Sequence, residues 1–156
     1  MSDLEGKTII ITGVGRPRGI GRASALRFAR EGANLVLADL GSDGVRPGEI
    51  EGVSPDLEAV VEEVRGVGAQ VLAVPTDVSV EADVENLVAK ATERFGRLDG
   101  MVANAAILAA RGDPLEVEYD AYMRVLSVNL AGVFLSARVA AREMKRQCRS
   151  GSIVTS

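Results

Sequence analysis

The sequence predicts an α/β fold in which a doubly wound parallel sheet carries helices on both faces, and three observations lead to this prediction. Apolar segments of strand length alternate with amphipathic segments of helical length along most of the 156 residues. A glycine-rich turn joins the first strand to the first helix. Polar residues recur directly after the strands, where sheets of this kind bind their ligands.

The first three elements form a β-turn-α-β unit. Lys7 to Thr12 is β-branched and apolar, as expected for a buried strand. Ile20 to Arg30 places its apolar residues largely on one side of a helix, and Ala33 to Ala38 forms a second apolar strand. This is the order of elements found in Rossmann-type nucleotide-binding domains.

The turn between the first strand and helix contains Gly13, Gly19 and Gly21. Glycines let bare backbone approach a pyrophosphate at a helix N-terminus, where unpaired N–H groups and the helix dipole favour negative charge. Asp39 lies 18 positions after Gly21 (39 − 21), close to the spacing of the acidic residue that binds the adenosine ribose. A carboxylate there repels a 2′-phosphate, so the sequence favours NAD over NADP.

Two arginines within the turn act against that preference. Arg16 and Arg18 could pair with a phosphate, or they could be solvated loop charges. The turn does not match an ATPase phosphate loop, because Gly21 is followed by Arg22 and Ala23 rather than by Lys and Ser or Thr.

The alternation of strands and helices continues beyond the first unit. A turn-rich segment, residues 41–55, is predicted either to lie near the adenosine end of the cofactor or to be an insertion without a role. The next predicted elements are a helix at Asp56 to Val64, a strand at Ala69 to Val74, a helix at Val80 to Phe95 and a strand at Leu98 to Ala103. Residues at the strand ends, which we expect to converge, are Thr12 to Gly13, Asp39, Thr76 to Val78, Asn104 to Ala106, and Thr155 to Ser156.

Composition narrows the function classes. The length suits one domain, residues 1–156, and the net charge of −4 argues against a nucleic-acid or anionic-membrane partner. The sequence contains no histidine, which excludes Ser-His-Asp hydrolases and His-containing metal sites, so we predict no metal centre. A single cysteine excludes an intrachain disulfide, and no leader or long apolar segment is recognised, so a cytoplasmic location is expected.

Several of these features together resemble the short-chain dehydrogenase/reductase family. They are the run TGVGRPRGIG, Asp39, the pair Asp77-Val78, the run ANAA at 103–106 and Asn129 within SVNLAGVF. The resemblance implies that Asn129 joins a catalytic proton relay. It also implies an NAD cofactor, an alcohol or carbonyl substrate, and a homo-oligomer in the full-length protein. The cofactor-binding residues it implies are Gly13, Arg18, Gly19, Ile20, Gly21, Asp39, Asp77, Val78, Asn104 and Ala105.

Some of these residues have a purely structural alternative. Asp77 could cap the third helix, Asn104 could serve a turn, and Asn129 could be a helix residue that faces solvent. For Asn129 the functional interpretation is favoured, because apolar residues surround it in the sequence and a buried amide without partners costs about 1–3 kcal/mol.

The sequence also departs from the family pattern. The turn has five residues between Gly13 and Gly19 where the common family turn has three, and Ala103 and Ala106 replace common family residues. The family's catalytic Tyr-x-x-x-Lys pair is absent, since Tyr119 is followed at that spacing by Met123 and Tyr122 by Leu126.

We therefore expect the chain to be the N-terminal part of an oxidoreductase that lacks the C-terminal strands. Such a segment would bind cofactor weakly and catalyse nothing. The alternative is a non-catalytic dinucleotide-binding domain that acts as a sensor or scaffold.

Overall fold

A computed structural model of the chain describes residues 4–40, 54–108 and 113–156. Its described residues form a five-stranded parallel sheet with the strand order β3-β2-β1-β4-β5, so the predicted doubly wound fold is confirmed. The strands are β1 (Thr8–Thr12), β2 (Asn34–Asp39), β3 (Val71–Pro75), β4 (Gly100–Ala103) and β5 (Ser152–Thr155). Most of the 41–55 segment, residues 41–53, lies outside the described residues.

In the described ranges, five α-helices and two shorter helical segments accompany these strands. They are α1 (Ile20–Arg30), α2 (Pro55–Gly66), α3 (Glu81–Phe95), a 3₁₀ turn (Pro114–Glu116), α4 (Tyr119–Leu126), a π-helical segment (Ser127–Gly132) and α5 (Val133–Arg146). The last three form one continuous helix from Tyr119 to Arg146. By length and composition alone this helix could cross a membrane, a weak indication because core helices of soluble proteins pass the same test.

Local chemistry explains where two of the helices begin or end. Ser54 caps α2 by accepting a hydrogen bond from the Leu57 N–H at 3.3 Å, and Pro55 occupies the first helical position, where its missing N–H costs nothing. Helix α3 ends at Gly96, which adopts a left-handed φ of 73°.

The sheet is covered on both faces by apolar side chains. All five residues of β1 are buried, as expected for a central strand of a parallel sheet. One face packs against α1 and α2, mainly through Ala25, Ala29, Leu57, Val60, Val61 and Val64. The other packs against α3 and α5, mainly through Val84, Leu87, Val88, Ala91, Val139, Ala140 and Met144.

An ion pair anchors the starts of β1 and β4. Arg97 donates two hydrogen bonds to Asp99, at 2.7 and 2.6 Å, and the N–H of Thr8 donates to the same carboxylate at 2.9 Å. Burial raises the pKa of Asp99, but the bonds from Arg97 and Thr8 and the charges of Arg97 and Arg149 outweigh it, so the pKa lies below its ordinary value. The charged carboxylate therefore stabilises the N-terminal ends of β1 and β4.

Candidate dinucleotide-binding site

The glycine turn at the end of β1 is held by close contacts between backbone segments. Gly13 has a φ of +73°, and a Cβ there would lie 2.6 Å from the Cα of Ala105. A Cβ on Gly21 would lie 2.4 Å from the carbonyl oxygen of Gly13. Both positions therefore require glycine, and the packing brings the N-terminus of α1 against the ends of β1 and β4.

The first turn of α1 faces this junction without a side-chain cap. Gly19 occupies the cap position, and within the described residues no side chain caps the helix and no acidic residue lies in its first turn. The N–H of Gly19 donates to the Arg16 carbonyl at 2.9 Å, which closes the enlarged turn on itself. Arg18 and Ile20, both exposed, flank an N-terminus whose free N–H groups and dipole favour an anion.

Asp39 lies beside the turn at the end of β2. Its Oδ2 accepts a hydrogen bond from the Gly15 N–H at 2.7 Å, and its carbonyl accepts one from the Thr76 N–H at 3.2 Å. The carboxylate is therefore fixed against the glycine turn that leads into α1. This arrangement agrees with the predicted pairing of a pyrophosphate site with a ribose-binding carboxylate.

Asn104 joins the ends of three strands. Its side-chain N–H groups donate to the carbonyls of Thr12 and Gly13, at 2.9 and 2.8 Å, and its Oδ1 accepts a bond from the hydroxyl of Ser156 at 3.0 Å. Thr12, 1% exposed, accepts bonds at its Oγ1 from the N–H groups of Asn104 and Ala105, each at 3.1 Å. The structural role considered for Asn104 is thus observed, and it shapes the turn predicted to bind cofactor.

Asp77 orders the segment that leads into α3. Its Oδ1 accepts bonds from the N–H and the hydroxyl of Ser79, at 2.9 and 2.6 Å, while its own N–H donates to Asp83 at 3.0 Å. Asp77 therefore orders the turn before α3 but does not cap the helix, since the cap position is Val80 and no side chain caps α3 in the described chain. The neighbouring Val78 is buried and packs against Gly132, where a Cβ would lie 2.7 Å from the Val78 Cγ2.

Asn129 lies within the π-helical segment and is half-buried. Its Oδ1 accepts a bond from the Ile107 N–H at 2.9 Å, and its Nδ2 donates to the Ile107 carbonyl at 3.0 Å. The amide is therefore bound to the chain that leaves β4, so the alternative of a solvent-facing side chain does not describe it. π-Helical turns often accompany functional sites.

The structure brings most of the predicted residues to one edge of the sheet. The strand ends converge as expected, through the contacts of Asn104, Asp39 and Thr76 described above. The sequence interpretation did not single out Thr12, Gly15 or Gly132 as site residues. Gly15 stands in the glycine-rich run and Gly132 interrupts a helical pattern, so both leave a signal in the sequence, whereas Thr12 looks like any residue at a strand end. Among the residues that the structure describes, no three potential metal ligands come together.

A dinucleotide fits this set of residues. The positions of Gly13 and Gly21 exclude side chains from the turn, the α1 N-terminus is uncapped within the described chain, and Asp39 offers a carboxylate beside it. Together these groups can hold a pyrophosphate and an adjacent ribose.

Comparison with known proteins supports this interpretation. Residues 13–156 match the family model described as Enoyl-(Acyl carrier protein) reductase. The chain is 37% identical over 148 residues to L-rhamnose 1-dehydrogenase (NAD(P)(+)) of Azotobacter vinelandii, covering 95% of this chain and 54% of that protein. It is 40% identical over 152 residues to levodione reductase of Leifsonia aquatica, covering 95% of this chain and 51% of that enzyme.

Solved structures give the same result. The crystal structure of a short-chain dehydrogenase/reductase from Burkholderia phymatum in complex with NAD superposes with a TM-score of 0.83 at 35% identity. That superposition covers 99% of this chain and 50% of the other. The chain thus spans about half the length of the curated relatives it matches.

Proposed function

The chain belongs to the short-chain dehydrogenase/reductase family, and from this premise we propose that it is the cofactor-binding part of an NAD-dependent oxidoreductase acting on a small alcohol or carbonyl substrate. The single observation that carries the proposal is the uncapped α1 N-terminus beside the fixed carboxylate of Asp39. An oxidoreductase of this type agrees with the dehydrogenase and reductase names of the relatives. We extend the proposal to a cytoplasmic protein that forms homo-oligomers at full length.

In this proposal each residue has a physical task. The N–H groups at the start of α1 bind the pyrophosphate, with Gly13 and Gly21 keeping the approach free of side chains. Asp39 accepts hydrogen bonds from the adenosine ribose hydroxyls. When bound, a nicotinamide dinucleotide supplies the hydride donor or acceptor. We assign the adenine contact to Asp77 and Val78, and Ala105 lies where β4 ends beside Gly13.

Asn129 is proposed to act in the proton relay through its fixed position. Both polar atoms of its amide are bound to Ile107, so its side chain holds the chain after β4 against the π-helical segment. The catalytic Tyr-Lys pair of the family has no counterpart within these 156 residues. We therefore expect the segment to bind cofactor without turnover.

Asp39→Ala tests the cofactor assignment. We expect the Asp39→Ala chain to bind NAD at least about tenfold more weakly, because charged hydrogen bonds to the ribose are lost, and to discriminate less against NADP. Calorimetric or NMR titration with both cofactors measures the two affinities. Glu93→Ala, an exposed carboxylate on α3, is the control. If Asp39→Ala leaves both affinities unchanged, the ribose assignment is wrong.

Turnover distinguishes the proposal from the alternative of a non-catalytic sensor or scaffold. Both predict that the segment binds NAD, but only the oxidoreductase predicts that the full-length protein reduces NAD with an alcohol. Nicotinamide absorbance measures this for the full-length protein and for residues 1–156 in parallel. Turnover by the isolated segment would contradict the expectation of inactivity, and inactivity of the full-length protein across alcohols and ketones would favour the sensor.

A further inference from the structure

Arg22 makes three contacts that the proposed cofactor chemistry does not use. It lies in the first turn of α1, directly after Gly21. Its Nε donates to Glu63 of α2 at 3.2 Å, and its Nη2 donates to the other oxygen of the same carboxylate. Its Nη1 donates to the carbonyl of Pro17 at 3.0 Å. One guanidinium therefore joins the glycine turn, α1 and α2.

The location of this arginine needs a physical reason. A cation in the first turn of a helix opposes the helix dipole, and α1 has no acidic residue there to offset it. Glu63 supplies the missing negative charge from α2, across 41 positions of sequence. The pair is only partly exposed, with side-chain exposures of 31% for Arg22 and 39% for Glu63, so solvent weakens it less than it would a fully exposed pair.

The bond to Pro17 matters because the turn is enlarged. Arg16, Pro17 and Arg18 are all exposed, and the turn is otherwise tied down at its two ends, by the Gly15 bond to Asp39 and by the Gly19 bond to Arg16. The Arg22 bond to the Pro17 carbonyl reaches the middle of the turn from α1. The planar guanidinium of Arg22 can make all these bonds at once, because two of its N–H groups match a carboxylate while a third remains for a carbonyl.

We propose that Arg22, braced by Glu63, is a positioning residue that holds the enlarged turn open around the α1 N-terminus and thereby tunes pyrophosphate binding. The inference rests on the proposed function. The first claim, that Arg22 and Glu63 hold the turn in place, concerns the protein without ligand. The tuning part concerns its affinity for NAD. A positive charge at position 22 is not sufficient for this role, because the planar guanidinium must bind Glu63 and the Pro17 carbonyl at the same time.

The test compares Arg22→Met, Arg22→Lys and Glu63→Gln with the unmodified 156-residue chain by NMR. The first readout is hydrogen exchange of the Gly19 amide, which we expect to accelerate about 3- to 10-fold in both Arg22 variants. The second is affinity for NAD and for adenosine. We expect NAD to bind about 3- to 10-fold more weakly and adenosine, which lacks the pyrophosphate, to bind unchanged. Arg65→Met, which removes an exposed pair with Glu62 on α2, is the matched control.

Each outcome decides a part of the proposal. Unchanged Gly19 exchange in Arg22→Met overturns the brace, and so does an Arg22→Lys chain that matches the original in exchange and affinity. Faster exchange with unchanged NAD affinity overturns the tuning role. If the unmodified chain binds no NAD, the proposed function fails, while the exchange readout still decides whether Arg22 holds the turn. If the Arg22 variants do not fold, Glu63→Gln, which leaves α1 unaltered, replaces them: faster Gly19 exchange supports the brace and unchanged exchange overturns it.

Discussion

At the scale of single residues, one amide links the sheet to the cofactor turn. Asn104 donates to two carbonyls, of Thr12 and Gly13, and the Thr12 hydroxyl in turn accepts bonds from the N–H groups of Asn104 and Ala105 after β4. Because both carbonyls face a donor, an acceptor in that place would be repelled. The identity of the residue therefore matters more than its size.

Asn104→Asp should accordingly be more harmful than Asn104→Ala. We expect Asn104→Ala to lower the free energy of unfolding by about 1–3 kcal/mol, because the two carbonyls lose their donor, and Asn104→Asp to lower it further through repulsion. Urea unfolding measures the order, and NAD titration shows whether the turn moves with it. Equal losses in the two variants would contradict the repulsion, and an Asn104→Ala chain as stable as the unmodified chain would show that the amide donors contribute nothing.

Asp99 carries the pH dependence expected of a charged anchor. Its pKa is lowered in the folded protein, so the carboxylate stabilises the fold above the unfolded-state pKa of about 3.9, and this stabilisation is lost as pH falls through the folded pKa. Asp99→Asn should cost about 1–2 kcal/mol at pH 7 and almost nothing once the pH lies below the folded pKa. Urea unfolding of both proteins at several pH values measures how their difference in unfolding free energy shrinks as the pH falls. Parallel stability curves for the two proteins would contradict it.

At the scale of elements, the π-helical segment aligns two parts of the candidate site. Gly132 ends the segment and packs against Val78, while Asn129 in its middle binds Ile107 after β4. The widened turn therefore connects the segment that leads into α3 with the chain that leaves β4. Both belong to the edge of the sheet where the predicted cofactor residues meet.

Gly132→Ala should disturb this alignment. The new Cβ would lie 2.7 Å from the Val78 Cγ2, so we expect a loss of about 1–3 kcal/mol in unfolding free energy. Val78→Ala removes that methyl group, and the double variant should be more stable than the sum of the two single changes predicts. Thermal or urea unfolding of all four proteins measures the coupling. Additive losses would show that the two residues do not press on one another.

The elements differ in how well the sequence predicts them, for physical reasons. The first four strands and the first helix were predicted to within about two residues, because buried parallel strands are continuous apolar runs and α1 begins at a glycine turn. The π-helical segment was not predicted, since SVNLAGVF keeps an ordinary helical pattern and one wider turn does not change composition. Thr12 resembles any β-branched strand residue, and the Arg22–Glu63 pair, 41 positions apart, leaves no local pattern.

At the scale of the whole molecule, the two edges of the described sheet are unequal. The β3 edge ends in Pro75, which cannot donate a ladder hydrogen bond. All four residues of β5 are exposed, including Ile153 at 37% and Val154 at 54%. Val154 also lines an apolar groove of about 300 Å³ together with Ile9 and Phe28. Exposed apolar strands at a sheet edge promote pairing between chains.

We therefore expect the 156-residue polypeptide to self-associate as its concentration rises, and Val154→Lys to suppress this by placing a charge on the edge strand. Sedimentation velocity over a concentration series measures the effect. Val67→Lys is the control, because Val67 is 40% exposed at the end of α2, far from β5 in the sheet order, and a cation at a helix C-terminus is tolerated. If Val154→Lys sediments as a monomer while Val67→Lys associates like the original chain, the β5 edge controls association. If both variants associate like the original chain, the association arises elsewhere, and the exposed face of the Tyr119–Arg146 helix, with Leu130 66% and Phe134 59% exposed, becomes the next surface to change.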